Sequence, residues 1–330
     1  MKGFSLPLLA CLLLGGCGIF GLSSEEKDRL AEFFTRAKGY YEKDRLVQAL
    51  DQVDRGLEIA PEDPKFLTLK GFIFLKYAKK DPTFYEDAQI LFRKAAESGL
   101  SRARLGLGLA HQGLALKERD YSDNLERALR EGSIPASKRE AARRKIARMR
   151  ALSAKDFRKA ETCFKEVLEE EPGNILALYS LALVKVALDK KEEALKLIDR
   201  YIRTAAARRQ RILNRDLKAA LSKEREDLLW KELRTIEARE KEFRGLAANL
   251  LYKLGRYREA LKELNTLLEL DPNLVNEYFN RARVQAKLGR LREAARDYKV
   301  FVGRSLLPRE DPRIKEAVDF LTRHDLGSER

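Results

Sequence analysis

KEFRGLAANLLYKLGRYREALKELNTLLELDP (residues 241–272) and VNEYFNRARVQAKLGRLREAARDYKVFVGRSL (residues 275–306) are two copies of one pattern. Ala260 and Ala294 hold matching places and lie 34 residues apart. Small residues at Ala248 and Ala282 let paired helices approach, while the bulky positions beside them fill the remaining space. Pro272 stops the second helix of the first copy and sets up the next.

Outward from these copies the same interval returns. Ala160 and Ala194 are 34 apart; Ala49 to Ala88 is one period and five more, and Ala88 to Ala160 is two periods and four more. Leu30 to Pro61 carries Phe33, Ala37, Tyr40, Ala49 and Pro61, and Pro64 to Gly99 carries Gly71, Phe74, Ala88 and Phe92. Ser101 to Gly132 fits by spacing, with Leu107, Gly108 and His111 on its first helix. Ala141 to Pro172 carries Ala160, Phe164 and Pro172, with Arg148 where a small residue is expected. Ile175 to Ala206 carries Ala182, Ala194 and Ile198.

An aromatic and a small residue on one helix, then Ala-x3-Phe on a second, then proline, resembles the tetratricopeptide repeat. The resemblance implies an all-α protein, a right-handed α-solenoid with a long helical insertion and a C-terminal cap helix. One repeat cannot bury its apolar face alone, so stacked neighbours share a continuous core and the ends need polar caps. The expected organisation is a signal peptide at 1–16, a tether at 17–29, about five repeats at 30–206 with the third degenerate, an insertion at 207–240, two repeats at 241–306, and a cap helix and tail at 307–330.

The insertion follows from the 66 residues between Ala194 and Ala260, nearly two periods, with neither Gly nor Pro between Gly173 and Gly245. Leu229, Leu233, Ile236, Glu240, Phe243, Ala247 and Leu250 recur by fours and threes, the seam of one long helix running into the next repeat. Trp230 flanks it, either packed on the previous repeat or exposed as a partner anchor. The insertion either projects or folds back over the concave face.

At the amino end, Lys2, the apolar run Phe4 to Leu14 and Gly15-Gly16 before Cys17 have the order of a secretory signal. Leu14-Gly15-Gly16-Cys17 resembles the lipobox of bacterial lipoproteins, in which the cysteine is acylated and becomes the first residue. Several acyl chains would hold the protein stably at a bilayer. Leu8-Leu9-Ala10-Cys11 fits a lipobox locally but leaves a short apolar segment. An uncleaved membrane helix would need about 20 apolar residues, and Pro7, Gly15, Gly16, Gly18 and Gly21 make Phe4 to Leu22 a poor one. Gly18 after the cysteine resembles lipoproteins forwarded to the outer membrane, which places the expected protein on its periplasmic face.

Without the signal only Cys163 remains, at an apolar helical position, so no intramolecular disulfide forms and packing alone stabilises the fold. Charged residues of both signs make up 36% of the chain, and the net charge of +15 becomes +14 once Lys2 is lost. Such a basic surface favours anionic neighbours, expected here to be lipid headgroups or envelope polymers rather than nucleic acid. Its densest stretch is Lys138, Arg139, Arg143, Arg144, Lys145, Arg148 and Arg150, read either as a solvated helix face or as a binding patch.

In tetratricopeptide proteins the first helices line a concave groove. The resemblance assigns Phe34, Tyr41, Phe72, Leu75, Leu105, Ile146, Met149, Tyr179, Leu183, Tyr252 and Phe279 to it. Asn249, Asn280, Arg283 and Lys287 resemble groove positions that grip backbone amides or a terminal carboxylate. Such a lining suits an extended peptide or an amphipathic helix, unless neighbouring repeats or the insertion already cover it. No nucleophile with a base, no carboxylate pair and no metal cluster stands out, so the expectation is a non-catalytic scaffold without cofactor or metal, docking a protein or peptide in envelope assembly. The alternative is a lipoprotein that binds an anionic envelope polymer or lipid.

Overall fold

The structure is a computed structural model that describes residues 21–324. The stretch Lys2 to Gly18, with Cys11 and Cys17, lies outside the described residues. The described residues form helices joined by turns, and the chain divides after Lys190 into two compact units.

The first unit holds α1 (Ser24–Glu42), α2 (Leu46–Ile59), α3 (Pro64–Tyr77), α4 (Phe84–Ala96), α5 (Ser101–Arg130), α6 (Ala136–Glu170) and α7 (Ile175–Ala187). Local chemistry sets their starts. The Ser23 hydroxyl accepts from the Glu26 amide at 3.2 Å while Glu26 accepts from the Ser23 amide at 2.8 Å, which satisfies two donors that a helix start leaves open. Asp63 accepts from the Lys65 and Phe66 amides ahead of α3, whose first residue is Pro64.

Successive helices are locked by rings seated on glycines. Phe92 of α4 is fully buried, and a Cβ added to Gly71 of α3 or Gly106 of α5 would come within 2.7 or 2.2 Å of its ring. One aromatic side chain therefore fixes three helices, and only glycine fits opposite it.

The two helix pairs expected over Ser101–Gly132 and Ala141–Pro172 are instead a single hairpin of two long helices, α5 and α6. No glycine or proline interrupts 136–171, so nothing in the backbone forces a turn at the place where a repeat would have one. Gly108, expected on a first helix, lies under the Phe164 ring. His111 is buried, with its Nδ1 2.8 Å from Asp156 Oδ1 and its ring 2.9–3.1 Å from Gln89 Nε2. Burial pushes the His111 pKa below its ordinary value, although Asp156 opposes the shift.

The second unit holds α8 (Lys191–Arg211), a π-helical turn (Ile212–Asp216), α9 (Lys223–Lys253), α10 (Tyr257–Leu270), α11 (Val275–Lys287), α12 (Leu291–Arg304) and α13 (Pro312–Arg323). Here a long hairpin precedes the ordinary pairs, whereas in the first unit it follows them. All seven residues of the seam along α9 are buried. Phe243 meets Tyr201 of α8 edge-on, with centroids 4.8 Å apart, and Ile212 of the π turn is fully buried. Arg208 clamps the hairpin through Glu232 at 2.7 Å and Asp216 at 2.6 Å. Trp230 is 41% exposed and donates to Glu226 at 3.2 Å.

Gly255 and Gly289, which turn the chain between α9 and α10 and between α11 and α12, have φ of 73° and 74°. These are left-handed conformations that glycine adopts without strain.

Candidate functional site

Four of the polar and aromatic residues expected in the groove converge in the second unit. Asn249 and Tyr252 of α9 and Asn280 and Arg283 of α11 line one notch of about 40 Å³, closed by Gly245, Ala248, Leu264 and Val284. They meet because Asn249 and Tyr252 are three apart and so are Asn280 and Arg283, which puts each pair on one helix face. The small residues Gly245 and Ala248 leave the space open between them.

Within the notch the groups differ in how far they are committed. Asn280 donates to Glu277 at 2.9 Å. The Arg283 guanidinium carbon lies 5.0 Å from the Tyr252 ring centroid, and its Nε is 3.1 Å from Glu316 of α13. Asn249 is exposed, and its side chain has no hydrogen-bond partner among the described residues. A carboxamide offers two donors and an acceptor, so Asn249 and Asn280 together can pair with both edges of a peptide backbone. Lys287, one turn beyond Arg283, is exposed.

Phe279 departs from its expected place. It is 5% exposed and packs into the core against Tyr298 and Phe301, at 5.8 and 5.0 Å between centroids, so it supports α11 rather than offering a surface.

In the first unit the expected lining is partly consumed by internal packing. Phe34 stands edge-on to Phe66 at 5.4 Å, and Phe72 is buried against Phe92 at 5.0 Å. Tyr41 is half-buried, with Lys76 Nζ 4.1 Å from its ring centroid. Leu75, Tyr179 and Leu183 are half-buried, and Leu105 is buried. Ile146 and Met149 lie midway along α6 instead of on a separate first helix; Ile146 is buried towards α5, in a cleft with Leu129.

The basic stretch occupies the first half of α6. Arg144 pairs with Glu140 at 3.2 Å and Arg150 with Glu126 at 2.6 Å. Arg139 donates to the Ile134 carbonyl, and Lys145 Nζ lies 4.7 Å from the Tyr121 ring centroid. Lys138, Arg143 and Arg148 have no acidic partner among the described residues. Burial pushes the Cys163 thiol up to about 11, which keeps it protonated and unreactive. Glu316, which partners Arg283, was invisible in the sequence because no spacing rule links the cap helix to α11. Arg127 and Arg130, which add to the basic surface from α5, could have been found from their place just before the turn at Gly132.

No curated protein matches the chain. Among solved structures it is similar to PilF of Pseudomonas aeruginosa, at 15% identity and a TM-score of 0.49 over 91% of this chain and 99% of that one. It is also similar to YrrB, described as a tetratricopeptide protein with an unusual peptide-binding site, at 15% identity and 0.46 over 81% and 97%. A MamA mutant matches at 16% and 0.42 over 73% and 97%. Family models of the tetratricopeptide repeat match residues 151–227 and 248–289. With its helix pairs, their 34-residue interval and these two matches, the chain carries tetratricopeptide repeats, a fold that serves as a protein–protein interaction scaffold.

Proposed function

We propose that the protein is a docking scaffold of the bacterial envelope, held at the outer membrane by acyl chains on Cys17, with the notch between α9 and α11 receiving a segment of a partner protein. The observation that carries the reading is the convergence of Asn249, Tyr252, Asn280 and Arg283 on one concave surface, with the Asn249 carboxamide exposed. The two carboxamides hold the main chain of an extended segment and Tyr252 takes an apolar side chain beside it, as in other peptide-recognition grooves. The residues supply recognition and no bond-making group, so the role is to bring partners together. The signal-like run ending at Cys17 supports export and anchoring.

Each amide hydrogen bond contributes about 0.5–1.5 kcal/mol, so Asn249→Ala with Asn280→Ala is expected to weaken capture of a partner from solubilised envelope about 30-fold. Helix content should stay unchanged. A partner captured equally by both forms sinks the groove reading. Palmitate incorporation that persists after Cys17→Ser rejects the anchor and leaves the groove untouched.

A further inference from the structure

The α5–α6 hairpin presents a second surface, independent of the notch. Between Asn124 and Arg150 every polar contact stays inside the hairpin, and only Ala142 and Ile146 are buried. Beyond Ala115, α5 runs on for about 20 Å at 1.5 Å per residue, so this part is a two-helix arm of the first unit.

The arm carries nine Lys or Arg against three Glu between Asn124 and Arg150. Among the described residues Arg127, Arg130, Lys138, Arg143 and Arg148 have no acidic partner. At its tip the turn from Gly132 to Pro135 places half-buried Ile134 and exposed Pro135 between Arg130 and Lys138. An aliphatic point flanked along the chain by exposed Arg130, Lys138 and Arg139, with Glu131 as the one carboxylate in the turn, is suited to the boundary between phosphate headgroups and acyl chains.

We infer that this arm docks on a bilayer rich in anionic lipid, its free cations meeting lipid phosphates while Ile134 and Pro135 enter the interface. Two features favour a lipid surface over a polyanionic chain. Residues spaced at 100° put Arg144 and Arg148 on one flank of α6 and Arg143 on another, which spreads charge around the arm instead of along a track. No aromatic residue lies between Tyr121 and Phe157, so the arm has no platform on which the bases of a nucleic acid could stack.

The test uses the full chain reconstituted with vesicles and a fluorophore on the exposed tip, Ser133→Cys, read by brominated-lipid quenching. That readout reports the position of the arm whether or not the chain is acylated. Quenching is expected in vesicles containing phosphatidylglycerol and not in phosphatidylcholine alone. Lys138→Gln, Arg143→Gln and Arg148→Gln together should lower tip occupancy about 100-fold, since each cation near an anionic surface contributes about fivefold. High salt should have the same direction of effect. A tip that stays unquenched on phosphatidylglycerol overturns the proposal, and heparin retention by the wild type but not by the triple variant would then make the arm a polyanion site.

Discussion

The two long hairpins, α5–α6 in the first unit and α8–α9 in the second, depart from the repeat in the same way and are held in opposite ways. Along α9 seven successive seam positions are buried, and Tyr201, Phe243 and Ile212 are each fully enclosed. The outer part of α5–α6 buries Ser122, Ala142, Ile146 and little else. One hairpin is thus an extension of the core, whereas the other is a pair of helices whose exposed faces are mostly cationic. A lengthened helix pair can serve stability or can present a surface, and the side chains between its helices tell which.

The largest effect that could break this contrast comes from the second seam. Phe243→Ala should cost about 3–5 kcal/mol and Ile146→Ala, in the sparse seam, about 2 kcal/mol, the low end for a buried isoleucine. Urea denaturation checks both, with Trp230 fluorescence reporting on the second unit and circular dichroism on the helices of both, so that the first unit is read from the part of the dichroism change that fluorescence does not follow. Equal costs would erase the distinction.

Next in size is the root of the first hairpin, where α6 meets α7 and where the packing is dense again. Glu161 lies 2.7 Å from the buried Lys185 and 3.1 Å from Lys190, and it also pairs with Lys165. Burial works to raise its carboxyl, but the hydrogen bonds from these three lysines outweigh that and hold it at about 2. Its folded value is below its unfolded one. The stabilisation is therefore complete above about pH 4.5 and is lost as the pH falls towards 2. Glu161→Gln should cost about 3 kcal/mol at neutral pH, because it removes a charge that Lys185 faces in the interior. It should also flatten the loss of stability with acid, which a denaturation series across that range would measure.

The smallest effect is expected on the arm itself. Arg143→Ala with Arg148→Ala should change the unfolding free energy by less than about 0.5 kcal/mol. A larger loss would mean that these side chains hold the fold, and the arm would lose its standing as a surface set aside for contact.

The contrast also explains what could be read in advance. The seam along α9 was legible because seven residues recur at helical steps through a stretch without Gly or Pro. The 34-residue interval located the pairs at 241–306, and there Gly255 and Gly289, themselves 34 residues apart, turn the chain between the helices. The same interval misled over 101–172. A distance between alanines says how far apart two helix positions are, but not whether a turn lies between them, and the uninterrupted run from Ala136 to Glu171 permits one helix. Asn249, Tyr252, Asn280 and Arg283 could be grouped from their helix faces. The burial of Phe279 could not, since it depends on Tyr298 and Phe301 arriving from the following helix.

Glu316 sits on α13, at the far end of the chain, yet it sets the charge felt beside Asn280 through its 3.1 Å pair with Arg283. With that carboxylate in place the Arg283 charge is offset, and Glu277 beside Asn280 adds a second carboxylate, so the notch does not favour acidic ligands. A protein clipped ahead of Pro312 would release the guanidinium from that pair and lower the cavity's repulsion of acidic ligands, so proteolysis at one loop would shift selectivity without altering any residue of the cavity wall.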